Sequence, residues 1–150
     1  MTDNPMRNIL FSRIRLNFHS KSNISKSITQ QVQHAVAPLM VSSPETTALD
    51  LVRYAGSIGG IERATETIHP MIPLMQIRQL REMLESESEL ASAQRLGYIF
   101  TKSGADKLAK VIADWLPKYI KNVPLALGVK VDRAMAVDKT YGVILNARGL

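Results

Sequence analysis

The 150-residue sequence predicts an α+β domain, with a small antiparallel sheet from N-terminal and C-terminal strands packed on a central set of about five helices. Three observations carry that expectation. Strand character sits at the two ends of the chain, around residues 14–18, 37–41, 123–131 and 141–145. Between them, apolar residues recur at helical spacing. Gly56, Gly59, Gly60, Pro70, Pro73 and Gly104 cut that middle region into short helices. The length suits one domain spanning 1–150, with 1–6 as a loose tail, and an apolar fraction of 45% can supply a core.

From Asn8 to Phe18 the second half alternates with period two, which predicts a strand with Ile14, Leu16 and Phe18 facing inward. His19 to Ser27 is polar and reads as a loop, whereas Ile28 to Val36 fits neither pattern cleanly. A second strand over Ala37–Val41 carries Pro38, which places it at a sheet edge. The first helix then has a marked start. Either Ser43 caps it with Pro44 at the first helical position, or Ser42 caps it with Glu45 closing a capping box. Both readings put Glu45 in the first turn, where its charge complements the helix dipole.

Ala48, Leu49 and Val52 form the buried face of this helix, Leu51 widens it, and Asp50 can pair with Arg53. Gly59-Gly60 turns the chain into a second helix from Ile61 to about Thr67. Leu74, Ile77, Leu80 and Leu84 mark a third, to about Glu85, with Met75 and Met83 as flexible fillers. Ser86 and Glu89 read as a capping box for a fourth helix that buries Leu90, Ala93, Leu96 and either Gly97 or Phe100. Glycine inside a helix costs about 1 kcal/mol relative to alanine, so Gly97 reads as a packing notch. Ser103 and Asp106 start the last helix, with Leu108, Val111, Ile112, Trp115 and Tyr119 on its apolar stripe. Lys107, Lys110, Asp114, Lys118 and Lys121 line the opposite stripe, and Pro117 kinks or stops the helix nearby. Late strands over Val123–Val131 and Tyr141–Leu145 flank a charged connection.

Composition excludes several functions. Without cysteine there is no disulfide, thiolate metal site or cysteine nucleophile. No apolar run approaches the roughly 20 residues of a membrane span, and no secretory signal pattern opens the chain, so a cytoplasmic location is expected. His19, His34 and His69 lie far apart with no metal-ligand spacing, and Gly56–Gly60 lacks the Gly-Lys-Ser/Thr of a phosphate loop. Asp50 and Asp114 are single acids on different helices. No catalytic, metal or cofactor residue is therefore nominated, and a non-enzymatic role is expected.

The net charge of +6 points instead to an acidic partner. Its carriers are the lysine stripe, Lys107, Lys110, Lys118 and Lys121, and the cluster Arg7, Arg13 and Arg15. Both suit phosphates or an acidic protein surface, and both also read as solvated faces.

The run Ser43-Pro44-Glu45-Thr46-Thr47-Ala48-Leu49-Asp50-Leu51-Val52-Arg53-Tyr54, then Gly59-Gly60-Ile61-Glu62-Arg63-Ala64, then Gln94-Arg95-Leu96-Gly97-Tyr98-Ile99, resembles the C-terminal domain of the AbiEi family. Val123-Pro124-Leu125 and Tyr141 to Asn146 resemble that family's ending. The resemblance implies an antitoxin and transcriptional regulator of a type IV toxin–antitoxin system, of the kind that acts in abortive infection. Its implied partners are a nucleotidyltransferase-like toxin, with direct contact left open, and DNA or another nucleic acid. Full-length relatives add an N-terminal winged-helix domain, for which residues 1–41 show no pattern. The alternative is a stand-alone protein-interaction module derived from the same domain. The signature residues Pro44, Glu45, Asp50, Arg53, Gly60, Arg95, Gly97 and Tyr98 read as structural. Among them Arg95 and Tyr98 are expected to brace their helix, Arg95 against backbone carbonyls or an acid such as Asp50.

Overall fold

The computed structural model describes residues 2, 4–21 and 24–147. It is a mixed α+β structure whose core is helical. In chain order come β1 (Ile9–Phe11), β2 (Ile14–Leu16), β3 (Thr29–Val32), β4 (Leu39–Ser42), α1 (Pro44–Arg53), α2 (Ile61–Ile68), α3 (Ile77–Glu87), α4 (Leu90–Lys102), α5 (Asp106–Trp115), β5 (Val123–Pro124), β6 (Val137–Asp138) and β7 (Val143–Ile144). A six-residue 3-10 segment, His69–Leu74, links α2 to α3, because Pro70 and Pro73 each remove a donor from any continuing α-helix.

α1 begins as its sequence dictates. Ser43 is the N-cap, its Oγ accepts the Thr46 N–H at 3.2 Å, and Pro44 takes the first position. The capping box does not form: Ser42 Oγ pairs with Thr47 Oγ1 at 2.6 Å, and Glu45 turns to another helix. Ala48, Leu49 and Val52 are buried as expected. α4 is the central element, buried continuously from Ser92 to Phe100 and packed against α1 and α5. A helix buried all round belongs at the middle of a core rather than on its surface. Gly97 makes its packing possible, since a Cβ there would overlap the ring of Tyr141 and touch Ile112 at 3.0 Å.

The predicted capping pairs of α4 and α5 are not realised. Glu89 precedes α4 without capping it through its side chain, and Ala105, not Ser103, precedes α5. Tyr119 lies beyond α5 and is 86% exposed, so the apolar stripe ends with half-buried Trp115.

The strands form three small sheets. β1 and β2 make one antiparallel hairpin and β3 and β4 another, while β7 lies between β5 and β6, parallel to the first and antiparallel to the second. The inward assignment of Ile14 and Leu16 is corrected: they are 61% and 48% exposed, because no layer covers their hairpin. Of the tail expected at 1–6, residues 1 and 3 lie outside the described set, and Thr2 bridges to Ser20.

Candidate functional site

Two signature residues of α1, Asp50 and Arg53, converge on a buried ion network. Lys21, from the segment after β2, is 3% exposed and reaches in between α1 and α3. Its Nζ donates to Glu87 Oε1 at 2.5 Å and to Asp50 Oδ1 and Oδ2 at 3.1 and 3.2 Å. Arg53 closes the other side, donating to Asp50 Oδ1 and Glu87 Oε2 at 3.2 Å each and to Glu89 Oε2 at 2.7 Å. Burial pushes the Asp50 carboxyl above its ordinary value, against the pull of Lys21 and Arg53. At Glu87 burial acts in the same direction but loses to hydrogen bonds and charge from Lys21, with further hydrogen bonds from Arg53 and Ser27, so its carboxyl is held below the usual range. Lys21 carries no sequence signal, since it sits in a polar stretch that looks solvated. Nor does Glu87 stand out from the acidic run around it.

The remaining signature residues also hold elements together. Glu45 Oε1 accepts the Gln76 N–H at 2.7 Å, tying the start of α1 to the start of α3. Its Oε2 is buried with no hydrogen-bond partner among the described residues. Gly60 takes φ 101° at the N-cap of α2, a conformation that favours glycine. Arg95 Nε donates to the Pro124 carbonyl at 2.7 Å, so its partner is the expected backbone carbonyl and not Asp50. Tyr98 is buried at 3% exposure, with Lys102 Nζ 5.6 Å from its ring centre. Gln94, beside Arg95, donates through Nε2 to the carbonyls of Lys121 and Tyr141 at 2.9 and 2.7 Å, fastening the C-terminal segment to α4.

The basic candidates fall into two groups with different geometry. The lysines do not share one helical face, because α5 stops at Trp115. Lys107 and Lys110 are exposed on α5, and Lys110 Nζ is 3.2 Å from Asp114 Oδ1, which offsets its charge. Lys118 and Lys121 follow the helix, Lys118 with its Nζ 5.8 Å from the Tyr119 ring centre. By contrast, Arg7, Arg13 and Arg15 are carried by the β1–β2 ribbon and its lead-in, all exposed and with no ion pair among the described residues. Arg13 occupies the two-residue turn at the tip, after Ser12 at φ 55°. The first central residue of the hairpin turns that match strand twist takes such a positive φ.

No group of three or more metal-binding side chains occurs among the described residues, and no described helix is long and apolar enough to cross a membrane. In comparison with known proteins, the family model of the AbiEi antitoxin C-terminal domain matches residues 6–102, from just before β1 to the end of α4. No curated protein and no solved structure matches the chain.

Proposed function

Since the chain belongs to the AbiEi antitoxin C-terminal domain family, whose model covers well over half of it, we propose that it is the antitoxin of a type IV system, counteracting a nucleotidyltransferase-like toxin without chemistry of its own. The family membership carries this reading. The signature residues support a scaffold role, because each is spent on helix starts, ion pairs or close packing. Co-expression with a cognate nucleotidyltransferase-like toxin should restore growth that the toxin alone arrests. Unrelieved arrest, with both proteins present, overturns the antitoxin reading.

Nucleic-acid contact belongs to the same proposal, through Arg7, Arg13 and Arg15 rather than through the lysines. These arginines, without ion pairs among the described residues and set on a two-stranded ribbon, support that choice, since the major groove of DNA admits such a ribbon. Phosphate contacts alone give dissociation constants of about 10⁻⁴–10⁻⁶ M at physiological salt. A labelled duplex titrated at several salt concentrations separates the two basic groups. Changing the three arginines to glutamine should flatten log K against log salt by about 0.9 for each phosphate that is no longer neutralised. The same change at Lys107, Lys110, Lys118 and Lys121 should flatten it less. No binding by the unchanged protein at low salt discards the nucleic-acid contact and leaves the toxin assay to stand alone.

A further inference from the structure

The pairing register of β1 and β2 sets Ile9 opposite Leu16 and Phe11 opposite Ile14. Opposed residues, and residues two apart, share a face, so Ile9, Phe11, Ile14 and Leu16 form one face with no polar member. Leu10 and Arg15 form the other. The apolar four are 46%, 74%, 61% and 48% exposed, so the chain itself does not cover them. A two-stranded hairpin is marginal in water unless a further strand or layer packs on it. The β3–β4 hairpin differs, because its register puts Gln30 on the same face as Val32, Leu39 and Val41.

We propose that a second copy of this chain docks on the apolar face of the β1–β2 hairpin, giving a two-fold symmetric pair. Two features select a copy of the chain over an unlike partner. The face contains no charge or hydrogen-bonding side chain that would need a complement, so it is complementary to itself, as an isologous contact requires. Stacking two such faces also leaves Arg15 on the outer side of each hairpin, so this charge stays out of the seam.

The area decides the strength. At these exposures the four side chains offer on the order of 400 Å² per chain, from side chains of roughly 150–250 Å². A stable interface takes about 800 Å² from each partner. The pair is therefore a reversible, concentration-dependent dimer rather than an obligate one.

Sedimentation velocity at moderate salt tests this, with loading raised from about 1 μM to a few hundred μM, the range over which an interface of this size forms. The mean mass should rise from one chain toward two. Phe11→Glu with Ile14→Glu should hold it at one chain throughout, while the urea midpoint read from the helices stays unchanged, because both positions lie outside the core. Ile14→Thr, which keeps strand propensity, should weaken the association at least several-fold. A wild-type protein that stays single at the highest loading overturns the proposal. So does an acidic double variant that pairs as well as wild type, or growth beyond two chains. A single-chain protein whose toxin binding is lost in the double variant overturns it in favour of an unlike partner on the same face.

Discussion

Lys21 Nζ lies 2.5 Å from Glu87 Oε1, a pairing that spans 66 residues of chain and buries both charged groups. Around it, the segment after the first hairpin is pinned between α1 and α3. A buried ion pair contributes little when compared with well-packed apolar residues, but removing one partner leaves the other stranded.

Lys21→Met should therefore cost about 3–5 kcal/mol, since it leaves Glu87 and Asp50 facing each other with only Arg53 between them. Urea melts followed by the fluorescence of Trp115 measure it. Adding Glu87→Gln to that variant should recover part of the deficit. A single-variant cost under about 1 kcal/mol, the range of a solvent-exposed pair, would show that the network is wet.

The two acids of the network should respond to pH in opposite senses. Glu87 is held below its ordinary value of 4.5, so its stabilisation is present above that value and is lost as pH falls through the lower folded value. Asp50 is raised above 3.8, so its charged form is disfavoured by folding, and that penalty is relieved as pH falls through the raised value. The stability gap between wild type and Glu87→Gln should then shrink on acidification. The gap to Asp50→Asn should move in favour of wild type. Parallel slopes for the two variants would contradict the assignment.

Gly97→Ala brings two effects into competition. Alanine gains about 1 kcal/mol in helix propensity. Overpacking a tight site costs about 1–3 kcal/mol, and here the new methyl overlaps the Tyr141 ring. Tyr141 is held in place by its hydroxyl hydrogen bond to the Ala109 carbonyl at 3.0 Å, so it gives way poorly. A net destabilisation of up to about 2 kcal/mol is the expected result, the difference of those two terms. A gain in thermal midpoint would show that the ring moves aside.

Leu49→Ala should cost about 2–5 kcal/mol, the range for a large core side chain cut to alanine. Leu49, on the buried face of α1, is 1% exposed. Denaturant melts showing a change below about 1 kcal/mol would remove it from the core.

Local chemistry makes much of this structure readable from the sequence. Ser43 and Pro44 announce the start of α1, and Gly97 inside a helical run announces the close approach of another group. The first signal arises within a few residues of the structure it specifies; the second tells that a group approaches, but not that it is Tyr141. The failures share a different origin. Alternation from Ile14 onward tells which residues share a face, but the layer that would cover that face is a matter of tertiary placement. Pro117 signals a kink or stop in α5, and the stop separates Lys118 and Lys121 from Lys107 and Lys110. Lys21 is unreadable for a deeper reason: nothing near it in sequence distinguishes a lysine destined for burial from its solvated neighbours. Its partners lie 29 and 66 residues away.

That separation has a consequence during synthesis. At about 5–20 residues per second, a ribosome delivers Glu87 roughly 3–13 s after Lys21. Throughout that interval the first hairpin exists without its anchor. Its apolar face meets solvent before α3 is there to fix the segment behind it. The segment behind the hairpin is fixed only once the end of α3 has been made, well after the two strands themselves can pair.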